Sequence, residues 1–529
     1  MVVSAHHLAS EAGAAVLRAG GNAVDAAVAV AYAEAVVNPC CGNIGGGGFM
    51  TLHLADGRDV FLNFRETAPA AATATMYLDA AGHVMAGSSV LGWRAEAVPG
   101  TVLGLDTALA RYGTLPRATV MAAAIRLARD GFVLEKPDTD QLDLRTQLFR
   151  TDPDAAKTFL RPDGTGLHPG DRLVQPALAD TLAAIAASGP DAFYRGRIPQ
   201  AIEAAAREGD GVITAADFAA YTVTEAAPLR CLYRGWLVLS APPPSSGGTV
   251  LCEILNILEG FDLHGMGFHS TASVHVLAEA MRHAYLDRNT LLGDPAFVRD
   301  PLDRLLSKDY AAAIRASIGE RATPSAKLAV GTPPHEKPET THLSVLDHAG
   351  NAVALTYSLN GAFGAAVMAP GAGFLLNDTM DDFTVKPDTP NMFGLVQGAQ
   401  NAIAPGKRPL SSMAPTIVLR DGHVALVLGS PGGSRIITTV LETALNLIDH
   451  GMAPQEAVDA PRLHLQFLPD VLYAEPFALS PDTAALLRGM GYTITEQPAW
   501  GAAELIVVAP DHLFGANDSR RPAGAAVGK

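Results

Sequence analysis

Two adjacent threonines open the segment Thr340-Thr341-His342-Leu343-Ser344, directly after a run rich in proline, lysine and small residues. Taken alone, threonines at the start of a strand express ordinary β-propensity. Their position adds chemistry, because an exposed linker, 314–339, meets here a compact block of 190 residues, 340–529. A chain cut between Glu339 and Thr340 would give Thr340 both a hydroxyl and a free α-amine. An α-amine titrates near ~8, low enough to serve as base for its own hydroxyl near neutral pH. One residue would then be nucleophile and base together.

Three clusters in the same block suit an amide substrate that carries charges. Lys407-Arg408-Pro409-Leu410-Ser411-Ser412-Met413 offers paired hydroxyls just before a strand. Ser430-Pro431-Gly432-Gly433-Ser434 ends a strand and opens a helix, where exposed backbone N–H groups can hold an oxyanion. Asp381-Asp382, after Leu375-Leu376-Asn377, supplies carboxylates that can meet an ammonium group. Each cluster taken singly also reads as an ordinary loop or cap. The run Gly45–Gly48 is no P-loop, lacking a following Gly-Lys-Ser/Thr, and no dinucleotide fingerprint, since a strand follows it. Tight backbone packing at a turn is its plainer meaning. His6-His7, and His464 near Gln466, lack the carboxylates of a metal constellation, so no metal site is expected.

The elements that must position these residues follow from period and punctuation. Met1-Val2-Val3 resembles a strand, and helices are expected over Leu8–Arg18 and Ala23–Val37, the second capped by Asn22. A hairpin of Phe49–Leu54 and Val60–Phe64 turns through Ala55-Asp56-Gly57-Arg58. From about Pro69 to Ser270 the chain reads as mainly helical, for example Thr119–Arg129 and Pro176–Ser188. That region also holds a strand, Trp236–Ser240, and a loop, Pro242 to Gly248; a helix over Ser273–Asn289 follows. Beyond the linker come two hairpins, Leu343–Leu346 with Ala352–Tyr357 and Thr416–Leu419 with Val424–Leu428. Helices at Arg435–Asp449 and Pro481–Met490 and a strand near Leu505–Ala509 close the chain. Hairpin-rich ends flanking helices predict a mixed α/β (α+β) protein with strands between helical layers.

The composition sets outer bounds. The chain has 529 residues, 48% of them hydrophobic and 17% charged, which is globular and not disordered. A formal net charge of −16 lacks the basic footprint that nucleic acid or an anionic lipid surface requires. The longest apolar stretch, Ala26 to Val37, is broken by Glu34 and too short to span a membrane. Cys40, Cys41, Cys231 and Cys252 are too few and too irregularly spaced for a disulfide framework. Adjacent cysteines rarely pair, so buried apolar roles are expected for all four.

Taken together, the ordered motifs resemble the γ-glutamyltransferase (glutathione hydrolase) family of N-terminal-nucleophile hydrolases. They include GGNAVDAAVAV, GNIGGGGFM, FRETAPA, AVPGTV, APPPSSGG and LGDPAFV in 1–339, then TTHLSV, LLNDTMDDF, GKRPLSSMAPTIV and GSPGGSRIITTV in 340–529. The resemblance implies an αββα four-layer sandwich formed jointly by a large fragment, 1–339, and a small fragment, 340–529, after self-cleavage between Glu339 and Thr340. It implies that Thr340 is the nucleophile, that Ser358 supports it in place of the usual threonine, and that Gly432 and Gly433 form the oxyanion hole. Arg65, with Ser411 and Ser412, would grip the donor's α-carboxylate, a task suited to a forked guanidinium. Asn360 and Asp382 would hold the α-amino end.

Two residues depart from the family pattern. Thr379 stands where glutamine or glutamate contacts the donor's amino group, and Phe393, in the lid-like stretch 386–394, stands where tyrosine commonly closes the pocket. Phenylalanine keeps the apolar wall and loses the hydroxyl. The implied partners are glutathione and other γ-glutamyl compounds, with water, amino acids or dipeptides as acceptors and no organic cofactor. The family resemblance points to periplasmic or secreted protein, although MVVSAHH has no basic n-region or apolar h-region of a secretory signal. The nearest alternative is an acylase of the same fold with a glutaryl-type acyl group, as in cephalosporin acylases. A second alternative is a non-processing glutamyl-binding protein.

Overall fold

The computed structural model describes residues 1–325 and 340–528. Residues 326–339 of the expected linker, Glu339 included, lie outside the described residues.

Thirteen strands build two antiparallel sheets. They are β1 Val2–Ser4, β2 Gly47–His53, β3 Asp59–Phe64, β4 Thr224–Ala226, β5 Leu229–Tyr233, β6 Trp236–Ser240 and β7 Thr341–Leu346. The remainder are β8 Ala352–Ser358, β9 Thr416–Arg420, β10 His423–Gly429, β11 Glu504–Val508, β12 Leu513–Asn517 and β13 Ala525–Val527. The seven-stranded sheet runs β13-β1-β7-β8-β2-β3-β4, and the six-stranded sheet runs β12-β11-β10-β9-β6-β5.

Alternation along the strands explains the layers, since successive side chains face opposite sides of a sheet. Ala352 and Ala354 pack with Leu346, Ile417, Val427 and Ile506 between the two sheets. Their neighbours Val353 and Leu355 join the core formed with α1 (His7–Arg18), α2 (Ala23–Val37), α3 (Thr101–Tyr112), α4 (Arg117–Asp130) and α5 (Pro176–Ser188). On the far side, Val418, Leu426 and Leu428 pack with α6 (Gly247–Leu258), α7 (Thr271–Leu291) and α8 (Ile436–Ile448). The result is helices, sheet, sheet, helices: an αββα sandwich.

Every residue of α2 is buried, as a helix apolar on all its faces requires, and its two acidic residues are hydrogen-bonded: Asp25 to the Asn22 N–H and Glu34 to the His6 N–H and Asn38 Nδ2. Asn22 caps it as expected: its side chain accepts from the Val24 and Asp25 N–H groups, and Asp25 accepts from the Asn22 N–H. The glycine run leads into β2, which starts at Gly47, earlier than the expected Phe49. Gly48 lies opposite Tyr357 of β8, and a Cβ on it would lie 2.3 Å from the Thr356 carbonyl oxygen. Close approach of two backbones is what the run provides.

Four expectations need correction. Residues 69–99 carry no helix; this alanine-rich stretch is turns and bridges, and Ala72 and Tyr77 pack in a small core with Met380 and Phe383. Strands β4 and β5 add to the two sheets inside the region that reads as helical. The segment from 314 does not begin as a linker, because a helix over Lys308–Ser317 buries Ile314, and Ser325 is buried with its hydroxyl on the Phe467 carbonyl. The cysteines are paired, Cys40 with Cys41 and Cys231 with Cys252. Cys252 of α6 packs on Cys231 of β5 in one core, which a separation of 21 residues does not reveal. Cys40 and Cys41 sit in a turn after α2, where the Cys41 and Gly42 N–H groups both donate to the Asn38 carbonyl.

Candidate active site

Thr340 immediately precedes β7 and is 4% exposed. In the β7–β8 hairpin Thr341 pairs with Tyr357, which sets Thr340 opposite Ser358, the last residue of β8. The two hydroxyls are 3.4 Å apart. Ser358 Oγ also accepts the Asn360 N–H at 2.8 Å. Asn360 adopts φ +84°, a left-handed conformation that asparagine tolerates, and its Nδ2 donates to the Asp378 carbonyl at 3.1 Å.

The Ser430–Ser434 segment runs from the end of β10 towards α8. Gly432 has φ +140° and Gly433 φ +55°, so both need glycine. A Cβ on Gly433 would also lie 2.6 Å from the Phe393 ring. The turn leads into a short 3₁₀ segment, Gly433–Arg435, and then α8. Backbone N–H groups at such an end lack intrahelical partners and can meet developing negative charge.

Ser411 and Ser412 are held from the opposite side by the Pro242–Gly248 loop, whose end becomes the first turn of α6. The Ser411 N–H donates to the Pro244 carbonyl at 2.8 Å, and the Ser246 N–H returns a bond to the Ser411 carbonyl at 2.8 Å. Ser245 Oγ donates to the Met413 carbonyl at 2.5 Å. Thr340, Ser358, Asn360, Asp382, Phe393, Ser411, Ser412 and Gly433 thus surround one cavity of about 20 Å³. That is room for about one water.

Three expected site residues are not on the cavity wall. Gly432 adjoins Gly433 just outside it. Arg65 pairs through Nη2 with the Asp382 carboxylate, and donates through Nη1 to Glu66 Oε2 at 3.2 Å and through Nε to the Pro409 carbonyl at 3.3 Å. Thr379 is fully buried, and its hydroxyl donates to Glu66 Oε1 at 2.8 Å. A continuous chain, Thr379–Glu66–Arg65–Asp382, therefore stands behind the wall.

Burial raises the carboxyls here, and local partners pull them back. The Asp382 carboxyl is pushed up by burial and drawn down by the Arg65 guanidinium. Glu66 is likewise pushed up by burial and drawn down by Arg65. Asp381, which accepts from Ser89 Oγ at 2.6 Å and from the Met392 N–H at 2.8 Å, is pushed up to about 6 by burial. Asp378, with one oxygen on the Gly361 N–H and the other unpartnered, lies well above the usual carboxylate range for the same reason. Among the described residues no three His, Cys, Asp or Glu side chains are grouped to hold a metal ion.

Sequence reasoning missed Arg288. It lies on α7, is 1% exposed, and lines the cavity. Its Nη2 donates to Ser412 Oγ at 3.0 Å and its Nε to Ser246 Oγ at 2.9 Å. The expected helix over Ser273–Asn289 contains it, but a period of apolar residues does not signal which arginine turns inward.

The comparisons with known proteins agree with one another. A family model described as gamma-glutamyltranspeptidase matches residues 9–528. The chain is 54% identical over 539 residues to the glutathione hydrolase proenzyme of Pseudomonas sp. (strain A14), covering 100% of this chain and 94% of that protein. It is 47% identical over 523 residues to the glutathione hydrolase proenzyme of Escherichia coli (strain K12), covering 98% and 90% respectively. The crystal structure of cephalosporin acylase from Bacillus halodurans superposes with a TM-score of 0.86 at 28% identity, over 99% of this chain and 94% of that one. The sandwich is that of the N-terminal-nucleophile hydrolases, and the chain belongs to the gamma-glutamyltranspeptidase family.

Proposed function

We propose that this protein cuts itself between Glu339 and Thr340 and then acts as a γ-glutamyltransferase and glutathione hydrolase. The observation that carries the proposal is the position of the Thr340 hydroxyl, facing Ser358 and sharing a cavity with Gly433 and the serine pair. In maturation, Thr340 Oγ attacks the Glu339 carbonyl carbon and the peptide nitrogen leaves as the free α-amine; water hydrolyses the ester, giving fragments 1–339 and 340–529. That both relatives carry the word proenzyme in their names supports this step.

The freed amine then takes the Thr340 hydroxyl proton as oxygen attacks the γ-glutamyl carbonyl. The oxyanion forms against the Gly432 and Gly433 N–H groups. Collapse passes the proton to the departing amine, such as cysteinylglycine from glutathione, and leaves a γ-glutamyl ester on Thr340. Water, or the amine of an amino acid or dipeptide, cleaves that ester. Asp382 and Asn360 receive the donor's ammonium. Arg65, helped by Ser411 and Ser412, receives its carboxylate, the guanidinium being held beside the cavity by its pair with Asp382. The Cys231–Cys252 pair supports export to an oxidising compartment, and no helix among the described residues is long and apolar enough to cross a membrane.

One observation favours the acylase alternative: Thr379 is fully buried behind the cavity wall, away from the surface a donor amine would meet. The test is intact-mass analysis of the purified protein, followed by turnover of γ-glutamyl and glutaryl anilides. Two fragments and faster γ-glutamyl turnover are expected, with Thr340→Ala giving one uncleaved, inactive chain. An intact wild-type chain, or efficient cleavage in that variant, would overturn the maturation step; faster glutaryl turnover would make the protein an acylase.

A further inference from the structure

We propose that the Cys40–Cys41 pair is a thiol-exchange site: a small thiol bearing a carboxylate enters a cavity beside α2 and opens the bridge by attack on Cys40. The site lies outside the cavity around Thr340, and its test uses no acyl donor. It therefore stands or falls separately from the reading of the reaction.

A bridge between neighbours has little structural work to do. Joining adjacent residues closes no intervening loop, so it restricts the unfolded chain far less than the Cys231–Cys252 bridge, whose ends are 21 residues apart. The two pairs also differ in setting. Cys231 and Cys252 pack inside the core shared by β5 and α6. Cys40 lines a cavity of about 280 Å³ that does not reach Cys41. Cys40 is 1% exposed, so a thiol meets it from inside that cavity.

The charges on the cavity wall are engaged, with one exception. Asp138 faces His6 Nε2 at 3.3 Å and accepts the Glu135 N–H at 2.8 Å. Asp140 holds Lys136 at 2.6 Å, and Arg520 pairs with Asp518 and Glu475. Arg521 has no carboxylate within ion-pair distance among the described residues. Its Nη1 lies 4.0 Å from Cys40 Sγ and 3.9 Å from Cys41 Sγ, and its Nε and Nη2 make no hydrogen bond there. The carboxyl it acts on at longer range is that of buried Glu504, which burial holds well above the usual carboxylate range and so makes a poor counter-ion. A guanidinium so placed stabilises a thiolate leaving from the bridge, and its unused N–H groups can take the incoming carboxylate.

The exchange balances with two thiols. The first, as thiolate, attacks Cys40 Sγ; the Cys40–Cys41 S–S bond breaks and Cys41 Sγ leaves as a thiolate beside Arg521. A second thiolate attacks the small-molecule sulfur of the mixed disulfide, forming a disulfide with the first thiol and releasing Cys40 as a thiolate. Each cysteine takes up a proton given up by one thiol, and the bridge gains the two electrons that the thiols lose. Cysteinylglycine, the amine released in the proposed reaction, carries the required thiol and carboxylate.

The experiment treats protein purified in air-saturated buffer with mercaptoacetate, 2-mercaptoethanol or cysteamine at equal thiolate concentration. N-ethylmaleimide then quenches the exchange, and peptide mass locates the alkylated cysteines. Cys40 and Cys41 should be labelled while Cys231 and Cys252 stay bridged. Mercaptoacetate should open the pair about 10-fold faster than cysteamine, the scale of one charge-assisted hydrogen bond, with 2-mercaptoethanol between them. Arg521→Gln should abolish that order and Arg521→Lys should keep part of it. Free thiols at 40 and 41 before treatment, a pair that opens no sooner than Cys231–Cys252, or equal rates with the three thiols would overturn the proposal. The comparison of thiols needs only the wild type, so a variant that fails to fold leaves it decisive.

Discussion

Asp381 and Asp382 are neighbours in sequence with different work. Asp382 faces the cavity and pairs with Arg65, whereas Asp381 ties Ser89 to the Met392 backbone. The residue types pointed only to the pair and the family resemblance singled out Asp382, while the work of Asp381 depends on residues 89 and 392 arriving from elsewhere in the chain. The same holds for Thr379: its type was legible as a departure, its engagement with Glu66 was not. Asp381 also has a measurable signature. Its carboxyl is raised by burial from an ordinary 3.8 to about 6, so between those values the folded chain holds a proton that the unfolded chain has released. Stability then falls as pH rises through that window, by on the order of 3 kcal/mol for this group. Asp381→Asn, which mimics the protonated acid, should flatten the change in thermal midpoint between about pH 4 and pH 6.5. An undiminished slope in the variant would show that the titration belongs elsewhere.

The turn from β10 into α8 is the element on which the chemistry depends most narrowly. Gly433 combines a left-handed backbone with contact against Phe393, so a side chain there is excluded twice. Gly433→Ala should keep its circular dichroism and lose about 100-fold or more in kcat, the range for removing one oxyanion donor. Retained kcat would place the oxyanion elsewhere. This element was legible because two glycines at a strand-to-helix junction have a local cause, and the hairpins were legible from turns that include an aspartate and a glycine. Residues 69–99 were not, because alanine content suggests a helix while the stretch is held by distant Met380 and Phe383. The cysteine pairs failed for a related reason: which strand lies under which helix is a property of the assembled layers.

Considered whole, the sandwich interleaves the two stretches on either side of residue 340. Ladders cross that boundary at β1–β13, β1–β7, β2–β8 and β6–β9. A cut before Thr340 therefore breaks no strand pairing, and the fragments remain locked by backbone hydrogen bonds. The first of these ladders has a use in engineering. Val2 pairs with Val527, so residues 2 and 527 lie on adjacent strands at one sheet edge. A circular permutant could run from 340 to 529, through a short glycine-serine bridge, into 1 to 339. After removal of its initiator methionine it would begin life with the threonine amine already free. If a free amine is all that cleavage provides, the permuted chain should turn over γ-glutamyl anilide as one unbroken polypeptide, and an inert but folded permutant would show that cleavage also relieves the closed cavity. The same protein would then need no maturation, and its hydrolase would be switched on by the order in which its strands are synthesised.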